Sequence, residues 1–160
     1  MVLLFPMEIR QCVVCKKTSD ETHIEPKRNI CTSCKTTTRQ KTMSSTYEAY
    51  LRYLHSGAKS TCKAGKRSKD LEFSITPEHL IALWREQGGR CAISGTYLTH
   101  HKDGSGTKEY NASIDRINSD KGYTPLNTQL VCYRINLMKH TLPEDMFYWW
   151  IKTIHDFSCD

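Results

Sequence analysis

The chain has 160 residues, a net charge of +6, 38% hydrophobic and 25% charged residues. That length allows one ordinary domain or two small ones, and the composition supports a globular protein with a modest core, excluding a disordered one. No apolar run approaches the ~20 residues a bilayer requires, which excludes a membrane span, and the apolar residues 1–6 lack the charged leader of a signal peptide.

The charge is uneven. Residues 1–70 hold 14 Lys/Arg against 6 Asp/Glu, while residues 71–160 hold 9 against 11. A basic first half suits a polyanion, because neutralising phosphates releases counterions; a solvated basic surface is the plainer alternative. Eight cysteines without a secretory leader point to a reducing, cytoplasmic compartment and to metal binding in place of disulfides.

Three stretches follow in chain order. Residues 7–42 contain Cys12-x2-Cys15 and Cys31-x2-Cys34, the spacing of a structural four-thiolate zinc site. Each Cys-x-x-Cys turn sets two sulfurs on one side of a knuckle, and two knuckles close a tetrahedron with no open position. The segment has little apolar material, so metal binding supplies its folding free energy. His23 lies between the pairs but is superfluous beside four thiolates. Lys16, Lys17, Lys27, Arg28, Lys35 and Arg39 surround the knuckles, and Lys35 and Arg39 are candidate DNA contacts.

Residues 43–90 read as a helical and basic connecting region. A first helix is expected from Ser45, with Glu48 completing a capping box, Tyr47, Tyr50, Leu51 and Leu54 on one face, and Gly57 as its end. A basic loop follows, in which Lys63, Lys66, Arg67 and Lys69 are placed to track phosphates. A second helix is expected from Thr76 as N-cap with Pro77 at N1, buried through Leu80, Ile81, Leu83 and Trp84, and stopped by Gly88-Gly89.

Residues 91–160 begin with a hairpin pattern. Residues 113–117 alternate as a strand does, 118–125 are rich in turn formers, 129–132 form a second strand, and a helix starts near Tyr133. Two strands and a helix can hold a divalent cation between them. Asp115 would face Asn136 and His140, which stand four residues apart on one helical face. Such mixed oxygen and nitrogen donors suit Mg²⁺ or a transition metal. A last helix is expected near Pro143, with Met146, Phe147, Trp149, Trp150, Ile151 and Ile154 as an apolar face belonging to the core.

The segment with Asp115-Arg116, Gly122-Tyr123, Asn127, Leu130-Val131-Cys132 and Asn136-x-x-Lys139 resembles the HNH (ββα-metal) endonuclease superfamily. With the four-cysteine knuckle ahead of it, the resemblance covers roughly residues 12–145. It implies an α+β fold, a metal-dependent DNA endonuclease acting on double-stranded DNA, Asp115 and Asn136 as ligands of Mg²⁺ or Mn²⁺ with His140 as a third, and Asn127 as a brace for the loop between the strands. A homodimer is compatible with it.

Two departures qualify the expectation. Typical members have a general-base His where this chain has Arg116, and an arginine stays protonated and cannot take a proton. Arg116 would instead stabilise charge on the phosphate, leaving the base among His100, His101, Tyr110 and Tyr123. Relatives also often bind another zinc near the hairpin, but here the positions read Cys91-x-x-Ser94 and Cys132-x-x-Ile135, so a packed core is expected in its place. Cys62 and Cys159 carry no role. The rival readings are a DNA-binding protein without catalysis and a protein-interaction module.

Overall fold

The computed structural model describes residues 9–19, 21–25, 27–63, 71–101 and 108–159, with the side chain of Lys63 left out. Residues 1–6, Lys66, Arg67, Lys69 and the Lys63 side chain, all of which carried sequence expectations, lie outside the described residues. Two compact units emerge, Met1–Thr42 and Met43–Asp160, with mixed helix and strand.

In the first unit, β1 (Ile24–Glu25) pairs antiparallel with β2 (Ile30–Cys31). The turn between them passes through Asn29, whose φ of 48° is the left-handed conformation that asparagine tolerates better than most residues. Helix α1 (Thr32–Met43) follows directly. No helix was expected here, since Thr-rich sequence has weak propensity and α1 buries no residue. Thr36, Thr37 and Thr42 donate their hydroxyls to carbonyls four residues earlier, which removes their competition with the helical ladder.

The second unit holds the remaining elements around one core. Helix α2 (Tyr47–Lys63) is capped by Thr46, whose hydroxyl accepts from Ala49 N–H at 3.2 Å; the expected cap, Ser45, lies one residue too early. The helix also passes through Gly57, contrary to the expected stop. Glycine costs only ~1 kcal/mol inside a helix, and past it Cys62 packs partly buried against the core. Helix α3 (Pro77–Glu86) begins as its sequence dictates, with Thr76 Oγ1 accepting from His79 N–H at 3.1 Å. Gly88 and Gly89 take positive φ and end its course.

Strands β3 (Ala112–Arg116) and β4 (Thr128–Cys132) form an antiparallel hairpin in which Asp115 stands opposite Gln129. Helix α4 (Tyr133–Lys139) follows β4 without a linker, and α5 (Glu144–Cys159) comes next. Tyr50 and Leu51 of α2, Leu80 and Ile81 of α3, and Leu130 and Val131 of β4 share one buried cluster. The helical stretch 43–90 and the hairpin stretch 91–160 are therefore parts of one unit. Cys91 and Cys132 lie in this cluster as packed core residues.

Gly122 pins the hairpin loop to the segment before α3. Tyr123 N–H donates to Glu72 O at 2.9 Å, and Ser74 N–H donates back to Tyr123 O at 3.0 Å. A Cβ at position 122 would sit 2.2 Å from Glu72 O, so only glycine permits the approach.

Helix α5 departs from expectation. Of its apolar face only Phe147 is buried, whereas Met146, Trp149, Trp150, Ile151 and Ile154 are exposed. Its amphipathic pattern was read correctly as helical, but the described residues of this unit supply no surface to cover most of it.

Candidate metal centre and hairpin–helix site

The cysteine cluster is built by two tight turns. At the first, Lys16 N–H donates to Cys12 O at 2.9 Å and Cys12 N–H to Lys17 O at 2.8 Å, with Lys16 itself in the left-handed region. At the second, Cys34 enters from the first turn of α1 and its N–H donates to Cys31 Sγ at 3.5 Å. Cys31 N–H donates to Cys12 Sγ at 3.3 Å, joining the knuckles.

All four sulfurs lie within 4.8 Å of one another. A tetrahedron with Zn–S bonds of ~2.3 Å has edges of roughly 3.8 Å, and Cys15 and Cys31 are 3.7 Å apart, sulfur to sulfur. The four cysteines could hold a zinc ion, and among the described residues they form the one His/Cys/Asp/Glu cluster of that kind. His23 is exposed and outside it. Among the described residues the unit's core consists of Cys12, Ile24 and Cys31, with Ile30 and Cys34 against it.

Metal-free, the cluster is electrostatically divided. Backbone N–H groups of Cys15 and Cys31 bring the Cys12 thiol down to about 6, while its hydrogen bond with Cys31 pushes Cys34 up to about 12. Four adjacent thiolates repel, and a dication relieves the conflict.

The second site lies where α4 packs on β3. Asp115 is buried, and both its oxygens meet the ammonium of Lys139, Oδ1 at 3.3 Å and Oδ2 at 3.2 Å. Lys139 is fully buried and also donates to Arg116 O at 3.0 Å. Gln129, the cross-strand partner, donates from Nε2 to Asp115 Oδ2 at 3.0 Å and to Glu144 Oε2 at 3.1 Å, linking the site to the start of α5.

One helical turn earlier, Asn136 donates to Ser113 Oγ at 2.6 Å. Ser113 and Asp115 thus point to the same side of β3, and Asn136 and Lys139 to the same side of α4, as periods of two and three to four residues require.

His140 takes a different position. Helix α4 ends at Lys139, and His140 is its C-cap with φ 49° and ψ −112°, exposed, its Nδ1 3.2 Å from Thr141 Oγ1. That backbone turns the side chain off the helical course. The residue of α4 that meets Asp115 is therefore Lys139, one position before the expected histidine. Sequence reasoning gave Lys139 and Gln129 no role. The signals were the Asn136-x-x-Lys139 spacing and the strand register.

Arg116 donates to Lys121 O at 3.0 Å, and its guanidinium carbon lies 5.3 Å from the centre of the Tyr123 ring. Asn127 is buried between the strands. Its Oδ1 accepts from Asn118 N–H at 2.9 Å, and its Nδ2 donates to Asn118 O at 3.0 Å and Gly122 O at 2.8 Å. His100 is held at Ser44 O at 3.1 Å and packs near Tyr50 and Trp84, with His101 stacked on it. Tyr110 is exposed and Tyr123 buried.

Lys35 and Arg39 lie exposed on α1, Lys35 in an ion pair with Glu25 at 3.1 Å. No described helix is long and apolar enough to cross a membrane. The chain matches no family model, no curated protein and no solved structure.

Proposed function

We propose that the chain is a metal-dependent endonuclease of the HNH type, acting on double-stranded DNA, with the four-cysteine cluster as a zinc scaffold. The observation that carries this reading is the buried Asp115 beside Arg116 at the end of β3, faced from α4 by Asn136 and Lys139. A carboxylate taken so completely out of water, at a junction lined with cationic and amide groups, is costly to place without a task.

The donor chemistry suits a hard divalent cation. Asp115 carboxylate and Asn136 amide oxygens would hold Mg²⁺ or Mn²⁺. A bound metal would neutralise charge gathering on the scissile phosphate. Lys139 fixes the Asp115 side chain on β3. Arg116, always protonated, offers a second positive contact to the phosphate. Asn127 holds loop 118–122 so that Arg116 keeps its place.

A supercoiled-plasmid nicking assay with Mg²⁺ or Mn²⁺ tests the reading. Cleavage by the wild type, lost in Asp115→Asn after correction for folded fraction, is the expected result. Identical nicking by wild type and Asp115→Asn across both metal titrations would end it.

A second reading is a DNA-binding protein without catalysis. It is favoured by Arg116, which cannot serve as a base, and by the ammonium on both oxygens of Asp115. Salt-sensitive duplex binding without metal-dependent nicking would establish it.

A further inference from the structure

The exposed face of α5 is large and apolar. Met146, Trp149, Trp150, Ile154 and Phe157 are exposed by 47%, 57%, 48%, 59% and 88%. Positions 146, 150, 154 and 157 follow a four-four-three spacing, so they form one stripe, widened by Trp149, beside the buried Phe147. With large side chains of roughly 200 Å² each, the five residues leave about 600–700 Å² of apolar surface in water. Monomeric proteins seldom leave more than about 300–600 Å² in one patch.

The charges on the same helix narrow what covers it. Its other side carries Glu144, Asp145 and Asp156 against Lys152, the last two paired at 2.6 Å. An anionic lipid surface or a nucleic acid prefers a helix rich in Lys and Arg, so this acidic helix is unsuited to either despite its tryptophans. A protein surface remains. A second copy of α5 presents the same stripe without charges, at the spacing that lets two helices interdigitate. It also brings about 1,200–1,400 Å² of total burial, within the size of a stable interface.

We propose that α5 is the interface of a homodimer, two copies packing stripe to stripe about a two-fold axis. The interface is isologous, so every residue on the stripe meets the same stripe of the other copy. Because Glu144 in the first turn of α5 is bound to Gln129, which in turn holds Asp115, pairing through α5 also ties the two hairpin–helix sites into one assembly. The inference rests on the exposed face alone and stands independently of the nuclease reading.

The test is sedimentation velocity on the full, zinc-loaded chain from ~1 to ~100 µM, the range in which a standard-size interface populates dimer. The wild type is expected to sediment as a dimer. Ile154→Glu/Phe157→Glu, two exposed positions whose replacement spares the core, is expected to weaken association at least ~100-fold, since each buries an unpaired charge on the stripe. Circular dichroism and zinc content of the variant should match the wild type, which separates lost association from lost folding.

A wild type that stays monomeric throughout overturns the proposal, whether the Met1–Thr42 unit or another protein then covers the face. A dimer that persists in the double variant overturns it equally, because the interface then lies elsewhere.

Discussion

Replacing Lys139 by Met exposes what the buried pair contributes. The thioether stem fills most of the space of the lysine chain, so the change removes a charge and little volume. Wild-type Lys139 and Asp115 side chains are 0% and 4% exposed, so solvent screens neither. In the variant Asp115 keeps Gln129 Nε2 as its described donor and Arg116 O loses the Lys139 bond. Breaking a buried pair from one side costs about 3–5 kcal/mol, a large part of the ~5–15 kcal/mol that holds a typical domain folded. Urea unfolding followed by tryptophan fluorescence, with Trp84 stacked on Tyr47 as reporter, should show the midpoint falling accordingly.

The control is Asp115→Leu/Lys139→Met, which removes both charges and should cost clearly less than Lys139→Met alone, since no buried ion is left without its partner. A loss below ~1 kcal/mol for Lys139→Met would refute the buried pair. The same logic governs how the site is probed for function. Asp115→Ala strands the Lys139 ammonium and destabilises the unit, so activity must be compared with Asp115→Asn at equal folded fraction.

Elemental analysis should find one zinc per chain, and Cys31→Ser, at a buried ligand position, should leave the first unit unfolded while zinc uptake by the wild type restores its helical signal. Zinc affinity should fall as pH is lowered, because binding needs four thiolates and releases the protons that Cys34, pushed up to about 12, holds in the metal-free cluster; an affinity independent of pH would contradict the ligand set. Gly122→Ala should cost more than ~2 kcal/mol in the urea assay, as its Cβ meets a backbone carbonyl that cannot yield cheaply; an unchanged midpoint would show that the loop does not pack on Glu72. Duplex DNA binding should weaken with salt, and Arg39→Ala should reduce the slope of log K against log salt by about 0.9; an unchanged slope would remove Arg39 from the contact.

The features that the sequence determined by itself are those written within a few residues. Cys12-x2-Cys15 and Cys31-x2-Cys34 fix four sulfurs to two knuckles because the turn geometry is local. Thr76-Pro77 and Gly88-Gly89 bound α3 because caps and left-handed stops act on the nearest backbone groups. The turn formers between β3 and β4 place the hairpin.

Tertiary structure decided what depends on distant surfaces. Whether Gly57 ends α2 turns on the core that Cys62 reaches beyond it, not on glycine's own cost. The apolar stripe of α5 looks the same in sequence whether it is covered or not, because periodicity specifies a face and says nothing of its partner. Asp115 meets Lys139 because α4 ends one residue before His140. Where a helix stops against a strand is settled by packing across the two elements, and no spacing within either one contains it.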